Sequence, residues 1–304
     1  MIDMSDNQNL PIAYPQIPKG ETFQATYAGY TNIGGRNEDQ DCMATTYKNG
    51  RLVFTVCDGM GGHAGGCVAS LTAVKTLTDS FERQAAVIPT KEAVITAIND
   101  ANRAVYEKAQ AEPSLRNMGT TLTLLVIDNN AAYVAHVGDS RVYQLRKGRK
   151  IFRTNDHSQV FELLKMAELA SEEEARTHRR SNILSKALGI MPDVEPTMEK
   201  ISYKAGDRFV LCCDGVWNCQ PEPDIIAMLT SSPSIETVVS NTETTVEKIG
   251  REKGGMHDNH TMIVVDMKVD SKYKESFIRR LVKWFRKQKD RIVWRIRRMK
   301  KQRQ

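Results

Sequence analysis

The sequence predicts an α+β protein in which antiparallel sheets carry helices on their outer faces. Three observations point there. Short apolar runs are joined by tight turns, stretches of helical period fall between groups of strands rather than after each one, and no repeat of fixed period occurs. Residues 1–22 are polar and punctuated by Pro11, Pro15 and Pro18, and read as an irregular lead-in. Strands are expected at 22–32, 41–47 and 52–58, followed by helices at 67–83 and 91–110, where apolar residues recur at helical spacing. A second group of strands covers 120–127, 131–137, 141–145 and 150–152. Asp128-Asn129-Asn130 and Arg146-Lys147-Gly148 supply turns between them. A helical stretch near 158–188 comes next, then strands at 197–203 and 208–213. Helices at 223–230 and 235–251 precede a last strand at 260–267.

The composition is that of a globular chain: 304 residues, 40% hydrophobic and 26% charged, with 19 glycines and 10 prolines. Collagen-like, disulfide-scaffold and wholly disordered classes are excluded. No apolar run is long enough to span a bilayer, and the amino terminus lacks the basic start and apolar stretch of a secretory signal. Six cysteines show neither a CxxC pair nor Cys/His ligand spacing, so free buried thiols and a cytoplasmic location are expected.

The net charge of +6 conceals a division. Residues 271–304 hold 15 Lys or Arg against two Asp or Glu, a net of +13, which leaves −7 for residues 1–270. From Glu275 the chain reads as a basic amphipathic helix. Ile278, Leu281, Val282, Phe285, Ile292, Val293, Ile296 and Met299 fall on one face, with Trp284 and Trp294 beside them. A solvated charge run is the bland reading. The apolar stripe favours a peripheral anchor on an anionic membrane, at the inner face of the cell envelope. Nucleic acid, a partner's groove or this chain's own acidic part are the competing occupants.

The chemistry lies in the carboxylates. Asp58 and Asp214 each end a buried apolar run and precede a glycine, Asp139 follows Val137-Gly138, Asp258 precedes a strand, and Asp41 opens one. Singly, each is a turn residue. Together at strand ends they can converge, and clustered carboxylates need a cation among them; all-oxygen ligands favour Mg²⁺ or Mn²⁺.

Their order resembles the metal-dependent protein phosphatases of the type 2C class over about residues 23–267. The resemblance is carried by Gly34-Gly35-Arg36-Asn37-Glu38-Asp39-Gln40-Asp41, Asp58-Gly59-Met60-Gly61-Gly62-His63, Gly119-Thr120-Thr121 and Val137-Gly138-Asp139-Ser140-Arg141. It continues in Asp156-His157-Ser158, Ile183-Leu184-Ser185-Lys186-Ala187-Leu188-Gly189, Cys213-Asp214-Gly215-Val216-Trp217 and Asp258-Asn259-His260-Thr261. It implies a four-layer α-β-β-α sandwich at 23–270, between the lead-in 1–22 and the tail 271–304. It also implies a bacterial-type, monomeric enzyme acting on phosphoserine or phosphothreonine in proteins. Two metals, Mg²⁺ or Mn²⁺, would share an attacking water, with Asp58 bridging, the Gly59 carbonyl assisting, and Asp41, Asp214 and Asp258 completing the set. Arg36 would hold the phosphate.

Two registers of the first motif are open. The Arg36 spacing assigns the ligand to Asp41, whereas Asn37-Glu38-Asp39 would assign it to Asp39 and place Gly34 where the Arg belongs. Asp139 resembles the ligand of a third metal, but its expected acidic companion is Asn218, which weakens that site. Asp139 otherwise pairs with Arg141 or caps a turn. His63 is displaced from the position of a general acid, so a structural role is expected for it and for His157, with water as the acid. Residues 155–187 resemble the family's variable flap and following helix. Of the competing enzyme classes, a Cys-based phosphatase fails because no Cys is followed six residues later by Arg. No Gly-x-x-x-x-Gly-Lys-Ser/Thr loop occurs, and the glycines after Asp58 lack the spacing of a dinucleotide loop. The rival from outside enzymology is a catalytically silent phosphoprotein-binding module of the same fold.

Overall fold

A computed structural model describes residues 19–272 apart from 49, 62–64, 84–90, 129, 167 and 170. The expectations for His63 and for the amphipathic tail therefore lie outside the described residues. Two antiparallel sheets stack face to face. One runs β1 (Lys19–Glu21), β2 (Ala25–Asn32), β12 (His260–Met267), β11 (Asp207–Cys212), β8 (Arg141–Arg146) and β9 (Arg149–Arg153). The other runs β10 (Thr197–Ile201), β7 (Ala132–Val137), β6 (Leu122–Ile127), β4 (Arg51–Met60) and β3 (Asp41–Lys48), with β5 (Gly119–Thr120) added to the end of β4.

Period-two alternation builds the layers. Leu52, Phe54 and Val56 of β4 point into the core between the sheets, where they meet Phe209 and Leu211, while Val53 and Cys57 point to the opposite face. That face is covered by α1 (Gly65–Arg83) and α2 (Lys91–Ala111), which bury Val74, Leu77, Ile98 and Val105. The first sheet is covered by α5 (Asp214–Trp217), α6 (Glu222–Leu229) and α7 (Ile235–Glu252), through Val216, Ile225, Leu229 and Val238. The result is the four-layer arrangement expected.

Three expectations need correction. The lead-in is not irregular to its end: residues 19–21 form β1, paired with β2, and the predicted strand at 22–32 begins only at Ala25. Thr22 breaks it, because its hydroxyl accepts the N–H groups of Gln24 and Ala25 and turns the chain back. The helix expected over 158–188 reduces to α3 (Gln159–Met166) and α4 (Glu172–Thr177). Beyond them the chain folds back on the start of the segment, and only Leu188 pairs with the sheet region. Thr120 and Leu188 exchange two N–H···O bonds of 3.1 and 2.9 Å, and Ser158 bridges Leu184. The folded body also reaches past 270, since Ser271 and Tyr203 bond through the Ser271 N–H and hydroxyl.

Candidate metal and phosphate site

Strand register makes the centre of the site. In the β3–β4 pair, Asp41 lies directly opposite Asp58. The backbone at Asp58 is fixed from the next strand: its N–H donates to the Thr121 hydroxyl at 2.9 Å, and its carbonyl accepts from Thr121 N–H and the Thr120 hydroxyl. Gly59 is required where it stands. A Cβ there would sit 2.0 Å from the Gly66 carbonyl oxygen and 2.6 Å from that of Gln40, both backbone atoms that cannot swing aside.

The other carboxylates arrive from the facing sheet. Asp214 opens the short turn α5 just after β11, and Asp139 stands in the tight turn between β7 and β8, next to Gly138 at φ +93°. Asp258 precedes β12. Gly34, at φ +61°, lets the residue 33–40 loop lie against the Asp258 carbonyl, which a Cβ would approach to 2.3 Å. Asn259 holds that loop in place: its side-chain amide donates to Ile33 O and Glu38 O and its carbonyl accepts from Gln40 N–H, at 2.8, 3.0 and 2.9 Å. Arg36 is thereby brought to the rim, where Nη2 donates to Asp258 Oδ2 at 2.8 Å.

These residues bound a cleft of about 570 Å³. Arg36, Asp58, Gly59, Asp139, Asp214 and Asp258 all line it; Asp41 lies buried behind its floor. Asp41 Oδ2 accepts from the Cys213 thiol at 3.1 Å, and Oδ1 is buried without a hydrogen-bond partner. Asp39, the rival in the other register, is engaged elsewhere: it accepts from the Thr31 hydroxyl and from Asp41 N–H. The unpaired oxygen on Asp41 supports the Arg36 spacing.

The electrostatics are those of an uncompensated acidic cluster. Burial and then the charges of Asp39 and Asp214 push the Asp41 carboxyl up to about 8. Asp58 is held well above the usual carboxylate range by burial and by Asp41, Asp214, Asp139 and Asp258 together. Asp139 is likewise held high by burial and by Asp214 and Asp156, and Asp214 is pushed up to about 6 by burial and Asp258. Five hard-oxygen side chains with an orphaned buried oxygen fit divalent cations of the Mg²⁺ or Mn²⁺ kind.

One side expectation changes. Asp139 does not pair with Arg141, whose guanidinium makes a two-pronged bond with Asp156 at 2.9 and 2.7 Å and lies 3.5 Å over the Trp217 ring. Asn218 and Asp139 line a second cavity of about 550 Å³ under the flap helices. His157 is built into the scaffold: Nδ1 accepts from Gly138 N–H at 3.2 Å, Nε2 bonds Thr197, and the ring stacks on His136. Burial and then the neighbouring His136 push its pKa down to about 3. Sequence reasoning missed the roles of Cys213 and Asn259, although each adjoins a candidate ligand in the chain.

Comparison with known proteins identifies a family. The family model described as Protein phosphatase 2C matches residues 28–257. The serine/threonine phosphatase Stp of Listeria welshimeri is 33% identical over 247 residues, covering 80% of this chain and 95% of that protein. Protein phosphatase PhpP of Streptococcus pneumoniae is 32% identical over 241 residues, covering 78% and 95%. Among solved structures, the Streptococcus agalactiae serine/threonine phosphatase superposes with a TM-score of 0.69 at 30% identity, covering 80% of this chain and all of that one. The catalytic domain of the serine/threonine phosphatase PstP, a complex with two manganese ions, does so at 0.66 and 28%, covering 81% and 100%. This chain belongs to the protein phosphatase 2C family, the metal-dependent serine/threonine protein phosphatases.

Proposed function

We propose that the chain hydrolyses phosphoserine and phosphothreonine in proteins with two divalent cations, Mg²⁺ or Mn²⁺, held in the carboxylate cleft. The observation that carries this reading is the facing pair Asp41 and Asp58, joined by Asp214 and Asp258 around one opening where Arg36 at the rim is the one Lys or Arg lining it among the described residues. Asp58 would lie between the ions, with the Gly59 carbonyl, Asp41, Asp214 and Asp258 completing their ligands. When bound, the ions supply an activated water and offset charge on the attacking and leaving oxygens.

The chain's own part is positioning. The Asn259 clamp and the Arg36–Asp258 bond set a guanidinium at the cleft mouth. One of its nitrogens engages Asp258, and its remaining N–H donors suit phosphate oxygens. Asn182 and Leu184, from the segment after the flap helices, line the same cleft and would meet the substrate chain. A third ion near Asp139 is disfavoured, because the amide of Asn218 adds no charge there.

Chelator treatment tests the reading. Hydrolysis of a phosphothreonine peptide should cease after EDTA and return with Mn²⁺ or Mg²⁺. Activity that survives chelation refutes the metal role, and a metal-loaded protein that binds the peptide without cleaving it would instead be the silent module.

The basic residues 275–304 are proposed to hold the enzyme at an anionic membrane surface. The support is the apolar stripe within a net charge of +11 over these residues. The full chain should sediment with vesicles containing anionic lipid. A chain ended at Lys272, which keeps the Ser271–Tyr203 bonds, should stay in solution. Equal sedimentation of the two refutes the anchor.

A further inference from the structure

Outside the carboxylate cleft, one other group of side chains among the described residues has the makings of a metal site. Glu247 projects from α7 toward the start of β12, where His257 and His260 flank the candidate ligand Asp258. Glu247 Oε1 lies 3.0 Å from His257 Nε2 and 3.2 Å from His260 Nε2. Those separations are close to the edge of about 3.3 Å that a tetrahedron of zinc bonds of about 2.0–2.1 Å requires. The surroundings resemble a prepared shell. The fully buried His260 has its Nδ1 held by the Tyr30 hydroxyl at 3.0 Å, the kind of outer contact that fixes a ligating imidazole. Arg251 occupies the other Glu247 oxygen at 2.9 Å and leaves Oε1 to the two rings. His257 also lines a cleft of about 210 Å³ shared with Asp214, Asp258 and Lys253, which offers an ion a route from solvent.

We propose that Glu247, His257 and His260 form a second, chemically distinct metal site that binds a borderline transition metal, Zn²⁺ foremost. Two imidazoles and one carboxylate are a zinc donor set, whereas the neighbouring cleft offers carboxylates that suit Mg²⁺ or Mn²⁺. Binding exchanges the imidazole N–H···O contacts to Oε1 for three metal bonds, and each Nε2 proton passes through solvent to the Nδ1 of its ring, so that both imidazoles bind neutral. Its place in the fold gives it a consequence. The His257 carbonyl accepts the Gly35 N–H at 2.9 Å, next to Arg36, so an ion here ties α7, the Arg36 loop and Asp258 together. A plain hydrogen-bonded Glu between two histidines is the competing reading.

The test uses the full chain, freed of metal, saturated with Mn²⁺ and then given one equivalent of Zn²⁺. Zinc-edge X-ray absorption should show scattering from two imidazoles, and zinc should raise the thermal midpoint by mass action. His257→Gln should lose one imidazole signal, and both His257→Gln and Glu247→Gln should weaken zinc binding by roughly tenfold or more, judging by what even outer-shell changes cost a metal site. Circular dichroism checks that each variant is folded. His260, being fully buried, is left unaltered. A zinc spectrum of oxygen or sulfur neighbours alone, or zinc affinities equal in the wild type and both variants, overturns the proposal.

Discussion

Asp58→Asn should lower metal-stimulated hydrolysis about a thousandfold, a loss of about 4 kcal/mol in transition-state stabilisation, while leaving the fold intact. Asp58 is the member of the cluster whose carboxyl feels Asp41, Asp214, Asp139 and Asp258 at once, so it is the natural place for charge shared between two ions. The same substitution should raise the thermal midpoint of the metal-free protein. The folded pKa values of Asp41, about 8, and Asp214, about 6, lie above the ordinary carboxylate value, so the folded state binds more protons than the unfolded chain. Stability of the metal-free protein should therefore fall as pH rises from about 4 to about 8, and Mn²⁺ should remove that fall by compensating the charge. Thermal scans at pH 5 and pH 8, with and without Mn²⁺, check this. A metal-free protein more stable at pH 8 than at pH 5 contradicts the cluster reading, and an Asp58→Asn protein with full activity contradicts its metal role.

Arg141→Met should destabilise the protein by about 3–5 kcal/mol, because it strands a buried carboxylate. Arg141 is 8% exposed and Asp156 7%, and the pair connects β8 to the root of the flap. The guanidinium also donates to the Tyr143 hydroxyl at 3.2 Å and rests on Trp217, three residues beyond Asp214. Urea unfolding of Arg141→Met and of the double variant Arg141→Met/Asp156→Leu separates the causes. The double variant should recover much of the loss, since removing both buried charges is far cheaper than removing one. A double variant no more stable than the single one would assign the loss to packing against Trp217 instead.

The legible parts of the fold were those with a local cause. The strands at 41–47, 52–58 and 208–213 declare themselves by short apolar runs, and α1, α2 and α7 by helical spacing; the structure places all of them within a few residues. The flap was read as one helix because 158–188 contains helix-favouring residues. Only long-range contacts show that its second half turns back: Leu184 bridges Ser158, and Leu188 pairs with Thr120. Thr22 is similar: a side-chain turn overrode a stretch of strand-favouring residues.

The sequence by itself determined the chemistry on offer. The order of its aspartates, the Arg36 spacing and the glycines that let backbones touch are local facts, written in residue types. Tertiary structure alone decided which groups share an oxygen's neighbourhood. Asp41 is 172 residues from the Cys213 thiol that it accepts from, Arg36 is 222 residues from Asp258, and Glu247 meets His257 and His260 only because α7 lies along β12. Such contacts depend on strand register and helix packing, which are set by burial over the whole chain rather than by the residues that meet.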